Sequence, residues 1–303
     1  MPSFLADIPN ENLALFFALG ATLSFSGSSL VYAEFSKRVS VLWMNTFKAS
    51  VAFVALLVTI PLFWGWHSVS LPSFLSFLAS GLLGLNLGDL FLLSAFTRIG
   101  PARTLILFGF QPVITGTLAY LFLGQTFNPH KLIAVFFMIC CLFIFSLERF
   151  RQNRQWEIGG LLFALIGVSL DSCGVMLSRL GFDLSPQVVP PEGHFYRCVG
   201  ALLGFAVIAF FRPIGLKENF QRFQTRDRGL LVMASLGGTY LSLLLYLSAV
   251  RIGHLASIAG ISITGPMFAT LLESLVHRRA PSRYLYIAFA FFLGGFYILW
   301  SVS

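Results

Sequence analysis

Four charged side chains stand out because each lies inside a long apolar stretch of the sequence. Asp171 is close to the middle of its stretch, Asp89 lies about two helical turns from the end of another, and Lys48 and Arg197 occupy two more. A charged group is costly in a bilayer, so each of these is expected to have a partner or a function. A buried acid can carry a proton or bind a cation, and a buried base can bind an acidic group.

Structural explanations also exist for three of these groups. Asp89 could form a structural pair with a nearby base. Lys48 and Arg197 lie a turn or two inside their stretches, so their long side chains could extend to the membrane surface. Alternatively, they face a cavity at equivalent places and bind an acidic substrate group or an aspartate. The sequence leaves these alternatives open, whereas Asp171 is too deep to reach either surface.

Uncharged polar residues form a second group of candidates. Gln111 and Thr264 each lie beside a proline in the middle of an apolar stretch. A proline removes a backbone hydrogen bond and kinks a helix, which exposes carbonyl groups that can face a cavity. Ser24 and Ser28 belong to a stripe of small residues, which is more often helix packing than ligand contact. The complete set of candidate substrate-binding or coupling residues is Asp171, Asp89, Asn86, Lys48, Arg197, Gln111, Tyr240, Thr264, Ser24 and Ser28.

These residues are not arranged as in a known type of enzyme. An intramembrane aspartyl protease would have Gly-x-Gly-Asp and Tyr-Asp, but Asn86 replaces the first glycine and Leu170 precedes Asp171. Motifs for a nucleophilic serine, for a zinc-binding His-Glu-x-x-His and for a phosphate-binding glycine loop are lacking as well. The four cysteines fall inside apolar stretches without the spacing of a metal site. The sequence therefore predicts no catalytic residues, metal or cofactor.

Ten apolar stretches fill almost the whole chain and determine its fold class. The chain is 57% hydrophobic and 11% charged, with a mean hydropathy of +0.83. A helix needs about 20 mostly apolar residues to cross a bilayer, and the stretches lie near residues 12–35, 41–64, 73–96, 101–123, 130–147, 157–180, 194–211, 228–250, 253–276 and 282–302. Without the alternation of barrel strands, they predict an all-α polytopic membrane protein with ten transmembrane helices.

The second half of the chain repeats the first. Leu93-Ser94-Ala95 recurs 154 residues later, as does Pro112, and Arg98-Ile99-Gly100 recurs with a displacement of one residue. We therefore predict two five-helix repeats, in residues 1–150 and 151–303. Because five is odd, the repeats would have opposite orientations, as in secondary transporters with a substrate site near the membrane midplane.

The basic residues predict how the chain is oriented. Most of the 20 Lys and Arg residues lie in loops after odd-numbered stretches, which we therefore expect to be cytoplasmic, with both termini outside. In the longest of these loops, 212–228, Leu216, Phe220 and Phe223 have helical spacing, which indicates either an interfacial helix or a solvated basic loop. Topology thus accounts for the net charge of +8, and we expect no nucleic-acid partner.

The chain resembles the drug/metabolite transporter superfamily, specifically its EamA-type members. The resemblance is carried by the Arg98-Ile99-Gly100 link, by Pro112 within the fourth stretch, by Leu123-Gly124 before Asn128-Pro129, and by their echoes in the second half. One departure is Gly124-Gln125, where the family usually has Gly-Glu. The resemblance implies small-solute transport, mostly export, through a central cavity lined by stretches one, three, four, six, eight and nine.

These observations predict a secondary transporter that moves a small metabolite or drug-like solute by alternating access. Proton coupling is one hypothesis for its energy source, with Asp171 as the first choice and Asp89 as the second. The alternatives are a membrane sensor or scaffold that does not transport and, less in keeping with the sequence, an intramembrane enzyme. The expected partners are a small-molecule substrate and the lipid bilayer, in a multi-pass protein of a bacterial inner membrane. Both a monomer and a homodimer remain open.

Overall fold

The computed structural model describes residues 10–35, 38–99, 101–126, 128–150, 158–276, 278, 280 and 282–302. Within these ranges the chain consists of helices and their connecting loops, with no β-strand. The long helices are α1 (Asn10–Phe35), α2 (Val41–Phe63), α3 (Leu71–Ile99), α4 (Pro101–Phe108 and Gln111–Leu123), α5 (Pro129–Phe150), α6 (Ile158–Leu184), α7 (Pro190–Phe211), α8 (Thr225–Ile252), α9 (Leu255–Ser262 and Gly265–Val276) and α10 (Arg283–Val302). A short helix, Leu216–Arg222, lies between α7 and α8 and is called the loop helix.

Helix length and composition identify an integral, multi-pass membrane protein. Among the described residues, nine helices are long and apolar enough to cross a bilayer, while the apolar part of α5, Pro129–Ile144, is shorter. Large apolar side chains such as Phe63 and Phe210 are 72% and 85% exposed, as expected for contact with lipid. The predicted all-helical polytopic class is confirmed, and the tenth crossing, over residues 130–147, stays a prediction.

Two predicted helix boundaries are wrong by about one turn. Helix α6 continues past residue 180 to Leu184, because Arg179 and Asp183 form an ion pair of 3.0 Å along its last turn. Helix α7 begins at Pro190 rather than at 194, since the carboxylate of Glu192 accepts a 2.9 Å hydrogen bond from the Val189 amide. Asp183 and Glu192 lie in these additional turns, and the apolar pattern had excluded both residues from the helices.

Helices α4 and α9 are each broken at the same place in their half of the chain. The breaks lie at residues 109–110 and 263–264, which are 154 residues apart. Pro112 and Pro266 follow them, and neither can donate the backbone hydrogen bond that would continue the helix. The predicted kinks are therefore present in both helices.

Helices α3 and α8 each contain a π-helical stretch at equivalent places, Gly81–Gly88 and Leu236–Leu241. Such stretches widen a helix locally and are frequent at functional sites. Glycines allow very close packing here, since a Cβ atom on Gly81 would lie 1.9 Å from the carbonyl oxygen of Arg197 in α7. A Cβ atom on Gly238 of α8 would lie 2.6 Å from the Cβ of Ser28 in α1.

Helix packing follows the same scheme in both halves. Helix α6 packs against α3 and α4, and α1 packs in the same way against α8 and α9. Helix α2 contacts α7, and α5 contacts α10. The largest buried apolar cluster includes Ala18, Met138, Ile258 and Phe292 and joins α1, α5, α9 and α10. The polar residues of interest lie outside this cluster.

Candidate functional site

Asp171 of α6 and Gln111 of α4 form the first contact of the site. Gln111 Nε2 donates a hydrogen bond of 2.5 Å to Asp171 Oδ2. Gln111 is the first residue after the break in α4, so the break determines where its side chain lies. Gln111 is buried, whereas Asp171 is half-buried although it lies in the middle of a long apolar helix.

Arg197 of α7 lies beside this pair and is only 2% exposed. A Cβ atom on Gly84 of α3 would lie 3.5 Å from Asp171 Oδ1 and 3.6 Å from Arg197 Nη2. The bare glycine thus provides the space where these two charged groups approach each other. The Nε and Nη1 atoms of Arg197 are buried and donate to no acceptor in the described part of the chain. Unpaired guanidinium nitrogens carry a large desolvation cost, so the site has unused capacity to bind an acceptor.

Asp89 and Lys48 complete a cluster of two acids and two bases. Asp89 follows the π-helical stretch of α3 and interacts electrostatically with both Lys48 of α2 and Arg197. The Lys48 ammonium lies 5.3 Å from the centroid of the Tyr32 ring in α1, which is a cation–π contact. The cluster of Lys48, Asp89, Asp171 and Arg197, here called the charged cluster, is neutral overall when all four groups are ionised.

The structure adds two residues that the sequence analysis missed. Tyr246 of α8 interacts electrostatically with Asp171 and Arg197 and is half-buried. His194 is fully buried one turn before Arg197, and its Nε2 lies 2.9 Å from the carbonyl oxygen of Thr239 in the π-helical stretch of α8. A polar side chain inside an apolar stretch was the available signal for both. In a sequence with many aromatic residues, that signal was weak for Tyr246.

Residues 12–147 match the family model of EamA-like transporters. The resemblance predicted from the sequence is thereby confirmed for this part of the chain. A solved crystal structure has a similar fold, with a TM-score of 0.78 and 16% sequence identity over 95% of this chain and 96% of the other. No curated protein sequence matches the chain.

The EamA-matched segment contains only part of the site. Lys48, Asp89 and Gln111 lie within it, whereas Asp171 and Arg197 lie in the second half of the chain. The family's usual Gly-Glu is replaced here by Gly124-Gln125, and Gln125 Oε1 accepts a 3.1 Å hydrogen bond from the Leu255 amide at the start of α9. A glutamine oxygen can fill this capping role as a carboxylate would.

Three of the predicted candidates make their contacts with neighbouring helices and not with the four side chains of the charged cluster. Asn86 donates to the carbonyl oxygen of Ala201 in α7 at 3.3 Å. Ser24 donates to the carbonyl oxygen of Gly237 in α8 at 2.8 Å, and a Cβ atom on Gly237 would lie 2.8 Å from Ser28 Oγ. The structure therefore places Asn86, Ser24 and Ser28 at helix–helix contacts.

The last two candidates also have partners outside the cluster. Tyr240 in α8 donates from its hydroxyl to Thr59 Oγ1 in α2 at 3.1 Å. Thr264 is fully buried, and its Oγ1 donates to the carbonyl oxygen of Ile261 at 2.6 Å, within the break of α9. Thr264 thus satisfies a carbonyl that the break exposes, and its hydroxyl does not extend to the charged cluster.

Hydrogen bonds between the halves close one end of the bundle, where the loops after α2, α4, α6 and α8 lie. His67 donates from its backbone to the fully buried Glu192 at 2.6 Å, and its ring Nδ1 lies 3.1 Å from the same carboxylate. His254 Nε2 lies 3.3 Å from the carbonyl oxygen of Thr126. Burial lowers the pKa of His254, and the nearby positive charge of Lys131 lowers it further, so the ring is neutral at neutral pH. We call this closed end the even-loop end.

Proposed function

We propose that this chain is a secondary transporter that moves a small solute across the membrane by alternating access. The observation that carries the proposal is the charged cluster. Its two acids and two bases lie among apolar helices, where charges without a function would be costly. Arg197 has two buried nitrogens without partners, which fits a site that is completed by a solute or by water.

The internal repeat supports an alternating-access mechanism. The breaks of α4 and α9 and the π-helical stretches of α3 and α8 recur at equivalent positions. Each half has five long helices, with α5 as the tenth proposed crossing, so the two halves are expected to have opposite orientations in the membrane. Two such halves can exchange conformations, which opens a central site first to one side and then to the other.

The coupling residues proposed are Asp171 first and Asp89 second. Asp171 accepts a hydrogen bond from Gln111 and interacts electrostatically with Arg197, so partners from two other helices favour its charge, while the nearby charge of Asp89 opposes it. Proton movement at this carboxylate would change the balance of the charged cluster and favour one conformation over the other. We further propose export from a bacterial inner membrane, by a monomer or a homodimer.

A solute screen in proteoliposomes, with and without a pH gradient, tests this proposal. Asp171→Asn should still fold and insert, because the amide keeps the shape of the carboxylate, although its melting temperature should fall because Arg197 loses a charged partner. It should abolish transport driven by the pH gradient and retain at least part of the exchange of solute against solute. The matched control is Glu218→Gln on the exposed loop helix, which should leave both activities unchanged.

Two outcomes would contradict parts of this proposal. If Asp171→Asn and Asp89→Asn both transport at the wild-type rate with unchanged pH dependence, the two acids are structural. If the wild-type protein binds a small solute but never moves it under any gradient, a sensor replaces the transporter.

A further inference from the structure

A surface cavity of about 340 Å³ lies at the opposite end of the bundle from the even-loop end. It is formed by the turn between α1 and α2, by the loop helix and by the start of α8. Its lining residues are Arg38, Val39, Asn219, Arg222, Phe223, Gln224 and Asp227. None of the charged cluster is among them, so this cavity is separate from the proposed transport site.

The loop helix forms one wall of the cavity because aromatic side chains hold it against the bundle. Phe220 stacks on Phe47 of α2 with ring centroids 5.2 Å apart, and Phe223 packs edge-on against Phe35 of α1 at 5.4 Å. Trp43 Nε1 donates to the carbonyl oxygen of Leu216 at 3.2 Å. The sequence left open an interfacial helix or a solvated loop; the structure has a helix here, and its position at the membrane interface stays a prediction. The cavity therefore lies beside the ends of α1 and α2, where the apolar helices give way to polar loops.

The arginine side chains around the cavity differ in how many ion pairs and hydrogen bonds they form with the protein. Arg38 has carboxylate partners in Asp227 at 3.2 Å and Glu34 at 3.6 Å. Arg228 donates to the carbonyl oxygens of Phe223 and Gln221 at 2.8 Å and 2.6 Å, which stabilises the end of the loop helix. Arg222 is exposed, lines the cavity and makes no ion pair within the described ranges.

We infer that this cavity binds the phosphate of an anionic phospholipid from the adjacent leaflet. Arg222 would donate to the phosphate, with the side-chain amide of Gln224 as a second donor and the charge of Arg38 behind them. A lipid fits better than a soluble phosphate compound because the cavity lies at the helix ends, close in sequence to Phe210 and Phe211, which are 85% and 79% exposed. Asp227 is the acid among the lining residues, and its carboxylate already faces Arg38, so the described lining favours an anionic lipid over a zwitterionic one.

Native mass spectrometry of the full chain in detergent tests the inference. A detergent micelle lacks the surface potential of a bilayer, so a preference for the anionic lipid would come from the protein itself. Phosphatidylglycerol and phosphatidylcholine are added separately at equal concentrations, and bound lipid is counted. Arg222→Gln should weaken phosphatidylglycerol binding at least about ten-fold, the loss expected for a hydrogen bond to a charged group. Arg222→Lys should restore part of it.

The matched control is Arg226→Gln, which removes the same charge from an exposed position that does not line the cavity. It should leave phosphatidylglycerol binding unchanged, and both variants should keep the wild-type melting temperature. Equal losses from Arg222→Gln and Arg226→Gln, or equal binding of the two lipids, would overturn the inference. Displacement of the lipid by soluble glycerol phosphate at the same concentration would assign the cavity to a soluble ligand instead.

Discussion

The two halves of the molecule have the same framework but different chemistry. Helices α3 and α8 share a π-helical stretch, and α4 and α9 share a break, at positions 154 residues apart. The position of Asp89 in α3 corresponds to Leu243 in α8, and Gln111 corresponds to Gly265. Only the bases are present in both halves, as Lys48 and Arg197. The backbone features thus recur at equivalent positions, whereas Asp89 and Gln111 have no polar counterpart there.

The largest loss of stability is expected at Gly81, because α3 has no space for a side chain there, whereas the corresponding position of α8 carries one. Gly81 corresponds to Ser235, which is fully buried in α8. Gly81→Ala would place a Cβ atom 1.9 Å from the carbonyl oxygen of Arg197, so α3 and α7 would have to separate. We expect a loss of at least about 3 kcal/mol in stability. The measurement is the recovery of monodisperse protein and its melting temperature.

Ser235→Ala is the comparison variant for Gly81→Ala. It removes the 2.8 Å hydrogen bond from Ser235 Oγ to the carbonyl oxygen of Leu231 in the same helix and the side-chain contact of Ser235 with Tyr32 in α1, and should cost about 1 kcal/mol. Similar melting temperatures for the two variants would show that α3 and α7 are not in tight backbone contact.

The second prediction separates the two equivalent bases. Of the two acids in the charged cluster, Arg197 interacts with both Asp171 and Asp89, whereas Lys48 interacts only with Asp89. Arg197→Gln would leave two acids with one base and should cost about 3 kcal/mol, because removal of one partner leaves a buried charge uncompensated. Lys48→Gln should cost clearly less. Thermal unfolding in detergent at constant pH measures both.

A double variant provides the control for this second prediction. Arg197→Gln combined with Asp171→Asn removes one charge of each sign and should recover part of the stability that Arg197→Gln loses. Strictly additive losses would indicate that the two side chains are not coupled.

The third prediction concerns Gln111, the amide that the second half lacks. Gln111→Ala removes the 2.5 Å hydrogen bond that orients the Asp171 carboxylate. A hydrogen bond to a charged group is worth about 2 kcal/mol, so we expect transport to fall by about ten-fold or more. Tyr240→Phe removes a hydrogen bond between α8 and α2 outside the charged cluster and should transport normally. Equal losses in both variants would assign Gln111 a packing role.

The sequence predicted the features that depend on local residue types. The apolar stretches predicted the helical class, and Pro112 and Pro266 predicted the broken helices. The π-helical stretches and the contact between Gln111 and Asp171 depend on the register between helices, which no local pattern determines. For the same reason Ser24 and Thr264 could be predicted as polar groups inside helices, while their partners could not. Tyr246 was missed because a tyrosine in an apolar helix resembles its neighbours.

The smallest effect on stability is expected in the link between α8 and α9, where the second half has one additional residue, His254. His254 is an additional residue between Gly253 and Leu255. It compensates for the one residue that the second half lacks between Ala249 and Arg251, so that Pro112 and Pro266 are again 154 residues apart. Its Nε2 donates to the carbonyl oxygen of Thr126, and its buried Nδ1 has no partner among the described residues.

Folding keeps His254 neutral, because burial and the charge of Lys131 lower its pKa below the ordinary value of 6.5. The unfolded chain therefore binds a proton at this position at a pH where the folded protein does not. Stability from this residue is complete above about pH 6.5 and is lost as the pH falls below that value, toward the lowered pKa of the folded state.

His254→Gln should retain the hydrogen bond to Thr126 and show a smaller decrease in melting temperature between pH 7 and pH 5. His130→Gln, which changes another histidine of the chain, is the control for the replacement of a histidine as such. A steeper acid dependence in His254→Gln would mean that the ring is protonated in the folded protein and stabilises the even-loop end as a cation.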